Sequence, residues 1–126
     1  MKQTTKYLLA VVALSLPAMA YAHGDAPKPK HGGIVVESRD IEYELVPKAD
    51  SIALYVEDHG QKVDTKGASA KVTLLNGGEK SEVQLAPAGE NKLEAKGSFK
   101  VAAGTKAVSV MMLPGKPAAT ARFELK

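Results

Sequence analysis

The chain of 126 residues has no cysteine and no tryptophan, and its aromatics stop at four tyrosines and two phenylalanines. Without cysteine there is no disulfide, no thiolate zinc or iron–sulfur centre, and no lipid attached at a processed cysteine. The Cys…Trp…Cys spacing of antibody domains is missing too, so any immunoglobulin likeness is one of architecture. Long apolar runs are equally scarce. The longest covers residues 7–16 and falls short of the roughly 20 residues that an anchored helix needs. Lysines are scattered singly, which does not make the basic stripe of a nucleic-acid binder. Nucleophile elbow, phosphate-binding glycine loop and zinc-helix histidine motif are all absent, and these absences argue against an enzyme.

What the chain does contain begins with a processing signal. Lys2 and Lys6, the apolar stretch and the small residues of Leu16-Pro17-Ala18-Met19-Ala20-Tyr21-Ala22 stand in the order of a secretion signal. They predict export to the periplasm and release without a membrane anchor. Two cuts satisfy the small-x-small rule, after Ala22 and after Ala20, and the first is preferred because tyrosine is unusual directly after a cleavage point. Removal of 22 residues from 126 leaves 104, the size of one domain. It also removes two of the 17 basic side chains, leaving 15 against 14 acidic ones, so the pI near 9.1 says nothing about polyanions.

Either cut creates a chelate. After Ala22 the chain starts His23-Gly24-Asp25, and the free amine and imidazole of one residue can close a ring on a metal ion. After Ala20, His23 becomes the third residue, where an amine, two backbone nitrogens and an imidazole suit square-planar Cu(II) or Ni(II). Residues 23–33 read HGDAPKPKHGG, with no apolar periodicity, and predict an extended arm. In it His31 and Asp25 are further candidate ligands. Together with the amine of His23 they favour Cu(II), with Ni(II) or Zn(II) following in the usual affinity order. His59 sits at a turn, where exposed polar residues are ordinary, and joins a site only if the arm docks at that end. Met111 and Met112 are neighbours on a strand and so face opposite ways; one is expected in the core.

Beyond Gly33 the pattern becomes short segments of period-two alternation: residues 34–37, 41–46, 51–57, 70–75, 81–85, 92–96, 98–101, 106–113 and 119–125. Ile41, Tyr43 and Leu45 share a face, as do Ile52, Leu54 and Val56. Asn76-Gly77-Gly78 predicts a tight hairpin, and Asp58-His59-Gly60 and Pro114-Gly115 predict further turns. No stretch supports a long amphipathic helix. The fold class is therefore all-β: an immunoglobulin-like antiparallel β-sandwich over residues 34–126, behind a signal peptide (1–22) and an arm (23–33), with a small open barrel as the alternative. Glu42, Glu44, Glu57, Asp58 and Asp64 alternate with the apolar face or fall in turns, and are expected to be solvated.

Several elements carry a resemblance: the HGG opening, the acidic alternating strand IEYELV, the LYV-x-D-x-G turn, the VDTKGASA connection and the N-x-L-x-A-x-G strand. From His31 to about Phe99 the chain resembles the small extra domain found in, or encoded beside, periplasmic adaptors of heavy-metal RND efflux pumps. The resemblance implies a setting of copper, silver, zinc, cobalt, cadmium or nickel tolerance, which adds Ag(I) to the candidate ions. The long helical hairpin and lipoyl-like parts of a full adaptor do not fit in 104 residues. What the resemblance implies is an accessory protein that binds metal and buffers or delivers it to the efflux system, with an efflux adaptor or another envelope protein as partner. The competing reading is a non-metal interaction module pairing a strand edge with an envelope partner. A third possibility, the copper brace of oxidative polysaccharide-cleaving enzymes, needs a flat aromatic face that Tyr43, Tyr55, Phe99 and Phe123 are too few to supply.

Overall fold

The computed structural model describes residues 28–126; the signal sequence, both cleavage positions, His23 and Asp25 lie outside the described residues. Nine strands follow one another: β1 (Ile34–Ser38), β2 (Ile41–Pro47), β3 (Ser51–Asp58), β4 (Gln61–Lys62), β5 (Ser69–Asn76), β6 (Glu79–Pro87), β7 (Lys92–Lys96), β8 (Lys106–Met112) and β9 (Ala119–Glu124). No helix occurs among the described residues, and none there is long and apolar enough to cross a membrane. All strand pairs are antiparallel, in the order β1-β2-β3-β7-β6-β5-β8-β9, with β4 beside β3. Two sheets face one another, β1-β2-β3-β7 and β6-β5-β8-β9. They are continuous because the end of β6 pairs Ala86 and Pro87 with Glu94 and Leu93 of β7. At the opposite seam β1 packs beside β9, so the sandwich nearly closes on itself.

The expected inward faces form the core. Tyr43 and Leu45 of β2, Ile52, Leu54 and Val56 of β3, Val72 and Leu74 of β5, Val83 and Leu85 of β6, and Phe123 of β9 are all buried together. Burial of each such side chain contributes about 1.5–3 kcal/mol to folding. Met111 is in the core and Met112 is 52% exposed, as adjacency on a strand requires. On β8 the inward positions go to Ala107, Ser109 and Met111 while Val108 and Val110 stand half-buried outside. The register explains this: Ala107 lies opposite both Leu74 and Phe123, whose bulk fills the space.

Turns follow the glycine and asparagine signals. Asn76 pairs with Glu79 across Gly77-Gly78, and Gly77 has φ +64°, the left-handed conformation that hairpins of this length demand. Residues 98–101 do not form the expected strand. Their backbone is taken by the β2–β3 turn, where Phe99 N–H donates to the Ala49 carbonyl at 2.8 Å and Gly97 N–H to Asp50 at 3.1 Å. The two-residue β4, which no alternation announces, pairs with the end of β3. The connection from β4 to β5 is fastened by Thr65, whose buried hydroxyl lies 3.1 to 3.2 Å from the carbonyls of Gly89, Glu90 and Lys92.

Candidate functional site

The outer face of the β1-β2-β3-β7 sheet is not the solvated acidic surface that alternation predicts. One row across it reads Val35, Glu44, Tyr55, Lys92, and the next carries Glu37, Glu42, Glu57 and Lys62. Glu44 is only 6% exposed and Glu57 is buried beside it, which corrects the expectation that both are solvated. Asp64 remains exposed, as expected. The cause is residues 30–33, which lie over this face and bond to Glu44 and Glu57.

A carboxylate taken out of water needs compensating donors, and Glu44 has four. The backbone N–H groups of Lys30, His31 and Gly33 donate to it at 3.0, 2.8 and 2.9 Å. The fourth contact, at 3.0 Å, is the Nδ1 of His31. Burial pushes the Glu44 carboxyl up, but the hydrogen bonds from the His31 ring and from the three amides outweigh it, and its pKa lies below the ordinary glutamate value. Glu44 is thus a charged anchor for the HGG opening. Gly33 is needed at that point because a Cβ there would overlap the Leu45 carbonyl. No side chain larger than hydrogen lets the chain pass so close to β2.

His31 is held on two sides. Its ring stacks on Tyr55 with centroids 3.6 Å apart and planes 5° from parallel, and its Nδ1 faces Glu44. An ionised carboxylate only accepts, so the Nδ1 carries the proton and donates, and in the neutral ring Nε2 keeps its lone pair. The side chain stays 37% exposed. Lys30 reaches past it to Glu57 at 2.8 Å, a bond that raises the lysine pKa. Lys92 stands 5.6 Å from the Tyr55 ring centre and completes the row.

Of the residues singled out from the sequence, then, His31 is fixed and partly exposed at the end of the arm. His59 is elsewhere. It occupies the β3–β4 turn with φ +51°, four positions beyond Tyr55, or about 13 Å of strand. Its ring is 73% exposed and its Nδ1 lies 2.5 Å from Asp58. The hydrogen bond and charge of Asp58 raise the His59 pKa, so the ring holds its proton to a higher pH than a free imidazole and is a poorer ligand. Among the described residues no three His, Cys, Asp or Glu side chains converge on a metal-sized centre.

Sequence reasoning passed over Glu44, Tyr55 and Gly33. Their signal was present in the paired glycines after His31, which mark a close backbone approach, but the receiving surface was not identifiable from one strand's alternation.

No family model and no curated protein matches the chain. Among solved structures, the crystal structure of a bromine derivative of BhCBM56 is similar over 73% of this chain and 99% of that chain, at 11% identity and a TM-score of 0.43. A likeness of that size carries no functional argument.

Proposed function

We propose that this chain is an exported binding protein, not an enzyme, that captures a transition metal ion, Cu(II) foremost, and buffers it or passes it to a heavy-metal efflux system in the periplasm. One observation supports this reading above all: the His31 ring is preset by Glu44 and Tyr55 with Nε2 as its free nitrogen. Histidines that ligate metals typically give their other ring nitrogen to a carboxylate or carbonyl, which fixes the tautomer and raises the basicity of the ligating atom. Glu44 stands in that relation to His31. His23 lies eight residues upstream, and five extended residues span at most about 17 Å, so from Lys28 the arm is long enough to fold back over this face. The amine and imidazole of His23, Nε2 of His31 and the carboxylate of Asp25 then make a nitrogen-rich set suited to Cu(II), with Ni(II), Zn(II) or Ag(I) as competitors. His59, bonded to Asp58 at another turn, is left out of this set. Delivery to an efflux adaptor rests on the sequence resemblance alone.

Calorimetry of Cu(II) binding to the exported chain, with its N-terminus verified by mass spectrometry, tests the reading. The expected dissociation constant is about 10 μM or tighter. His23→Ala and His31→Ala each weaken it, and Glu44→Gln weakens it by about tenfold or more through loss of the carboxylate behind the ring. Weaker binding by the native chain, or binding indifferent to His23→Ala, overturns the reading.

A further inference from the structure

A second feature lies at the end of the sandwich where the β1–β2, β3–β4 and β8–β9 connections meet. Between them opens a cleft of about 340 Å³. Its accessible apolar lining comes from Ile41, Val63, Leu113 and Pro117, over a floor formed by the buried Tyr43 and Met111, and its rim carries Arg39, Lys116 and Asp58. Cavities of this size with an apolar body and a few polar groups are where small ligands bind, and the mouths of β-barrels are a common location.

The backbone around the rim is strained. Ser38 pairs with Ile41, so Arg39 and Asp40 form a two-residue hairpin loop, and both have positive φ, +53° and +70°. Asn-Gly or Asp-Gly is the favoured pair there, and arginine in the left-handed region is costly. The third non-glycine residue with positive φ among the described residues, His59, is at the same end, because Ile41 pairs with Asp58. Non-glycine residues held in such conformations cluster at active sites and ligand clamps. Nothing in the turn itself calls for arginine.

The charge at the rim has a sign. The Asp58 carboxylate is already engaged by His59, and Glu37 and Asp40 also act on His59 from the neighbouring hairpin without lining the cleft. Among the described residues neither Arg39 nor Lys116 has an ion-pair partner. Burial keeps the Tyr43 phenol neutral to a higher pH than usual despite the opposing pull of the Arg39 charge.

We propose that this cleft binds a small organic anion with an apolar body, a medium-chain or aryl carboxylate, its carboxylate held between Arg39 and Lys116 and its hydrocarbon against Ile41, Val63 and Leu113. The site is separate from His31 and does not depend on metal capture.

The test is a titration of the exported chain with sodium octanoate in chelator, followed by backbone amide shifts in NMR. The result expected is saturable binding with a dissociation constant of about 1 mM or tighter, as suits a ligand of so few atoms. The shifts fall on Arg39, Ile41, Val63 and Lys116. Arg39→Gly and Lys116→Ala each weaken binding about tenfold, the loss of one charge-assisted contact, while Lys106→Ala does not. Arg39→Gly also raises Tm, because glycine relieves the turn; a fall in Tm would make Arg39 a structural residue and overturn the proposal. So would absence of saturable shifts, equal binding of octyltrimethylammonium, or unchanged affinity in both rim variants.

Discussion

At Glu44 a single carboxylate determines how the chain enters the sandwich, because three backbone amides and an imidazole converge on it. Its lowered pKa gives a signed prediction. A carboxyl whose folded pKa lies below its unfolded value stabilises the fold fully above that unfolded value, here near 4.5, and loses the contribution as pH falls through the folded one. In chelator, the amides of Lys30, His31 and Gly33 should therefore stay hydrogen-bonded to Glu44, read as protection from hydrogen exchange, as long as the carboxylate is ionised, and lose that protection together only in acid below the ordinary glutamate range. Glu44→Gln should give them the free-arm shifts already at pH 7. Two other residues run the opposite way. Among the described residues the buried hydroxyls of Thr105 and Ser109 have no hydrogen-bond partner, and an orphaned polar group costs about 1–3 kcal/mol. Thr105→Val, which keeps the shape and removes the orphan, is expected to leave stability unchanged or raise it by about 1 kcal/mol in urea unfolding.

Among the elements, the β1–β2 hairpin has two non-glycine loop residues whose conformation conflicts with their type. Its loop places Asp40 at φ +70°, where glycine is at ease. Asp40→Gly should stabilise the protein by about 0.5–1 kcal/mol, read as a higher urea midpoint with an unchanged m-value. Gly33→Ala, at the start of β1, should do the reverse. The added methyl has no room beside Leu45, so strand and arm must move apart, and the ring stacking of His31 on Tyr55 is lost with them. Loss of the upfield ring-current shifts of the His31 protons in NMR reports it directly. On β3 alternation predicts the apolar face correctly, but it also predicts solvent for Glu57, which Lys30 covers from outside the strand. Alternation knows the two faces of a strand and nothing of what lies on them.

As a whole molecule the two sheets share one core and one continuous strand path, through β6 and β7. Neither sheet has a separate apolar interior, so unfolding should be a single cooperative transition, with far-ultraviolet circular dichroism and tyrosine fluorescence coinciding. Leu54→Ala, at a position with no exposure, should cost about 2–5 kcal/mol. That is a large share of the roughly 5–15 kcal/mol available to a domain of this size. Without a disulfide nothing else offsets the loss.

The sequence by itself determined the all-β class, the inward faces of β2, β3, β5, β6 and β9, the Gly77-Gly78 hairpin and the choice of one methionine for the core. These follow from period-two alternation and from the φ that glycine permits, both properties of a few adjacent residues. Only the tertiary structure decided that Glu44 is buried, that His31 is stacked on Tyr55 and oriented by Glu44, and that Arg39 and Lys116 line one cleft. Each of those facts joins residues from segments far apart in the chain, and a charge on a strand becomes an anchor or a solvated group according to which distant backbone closes over it.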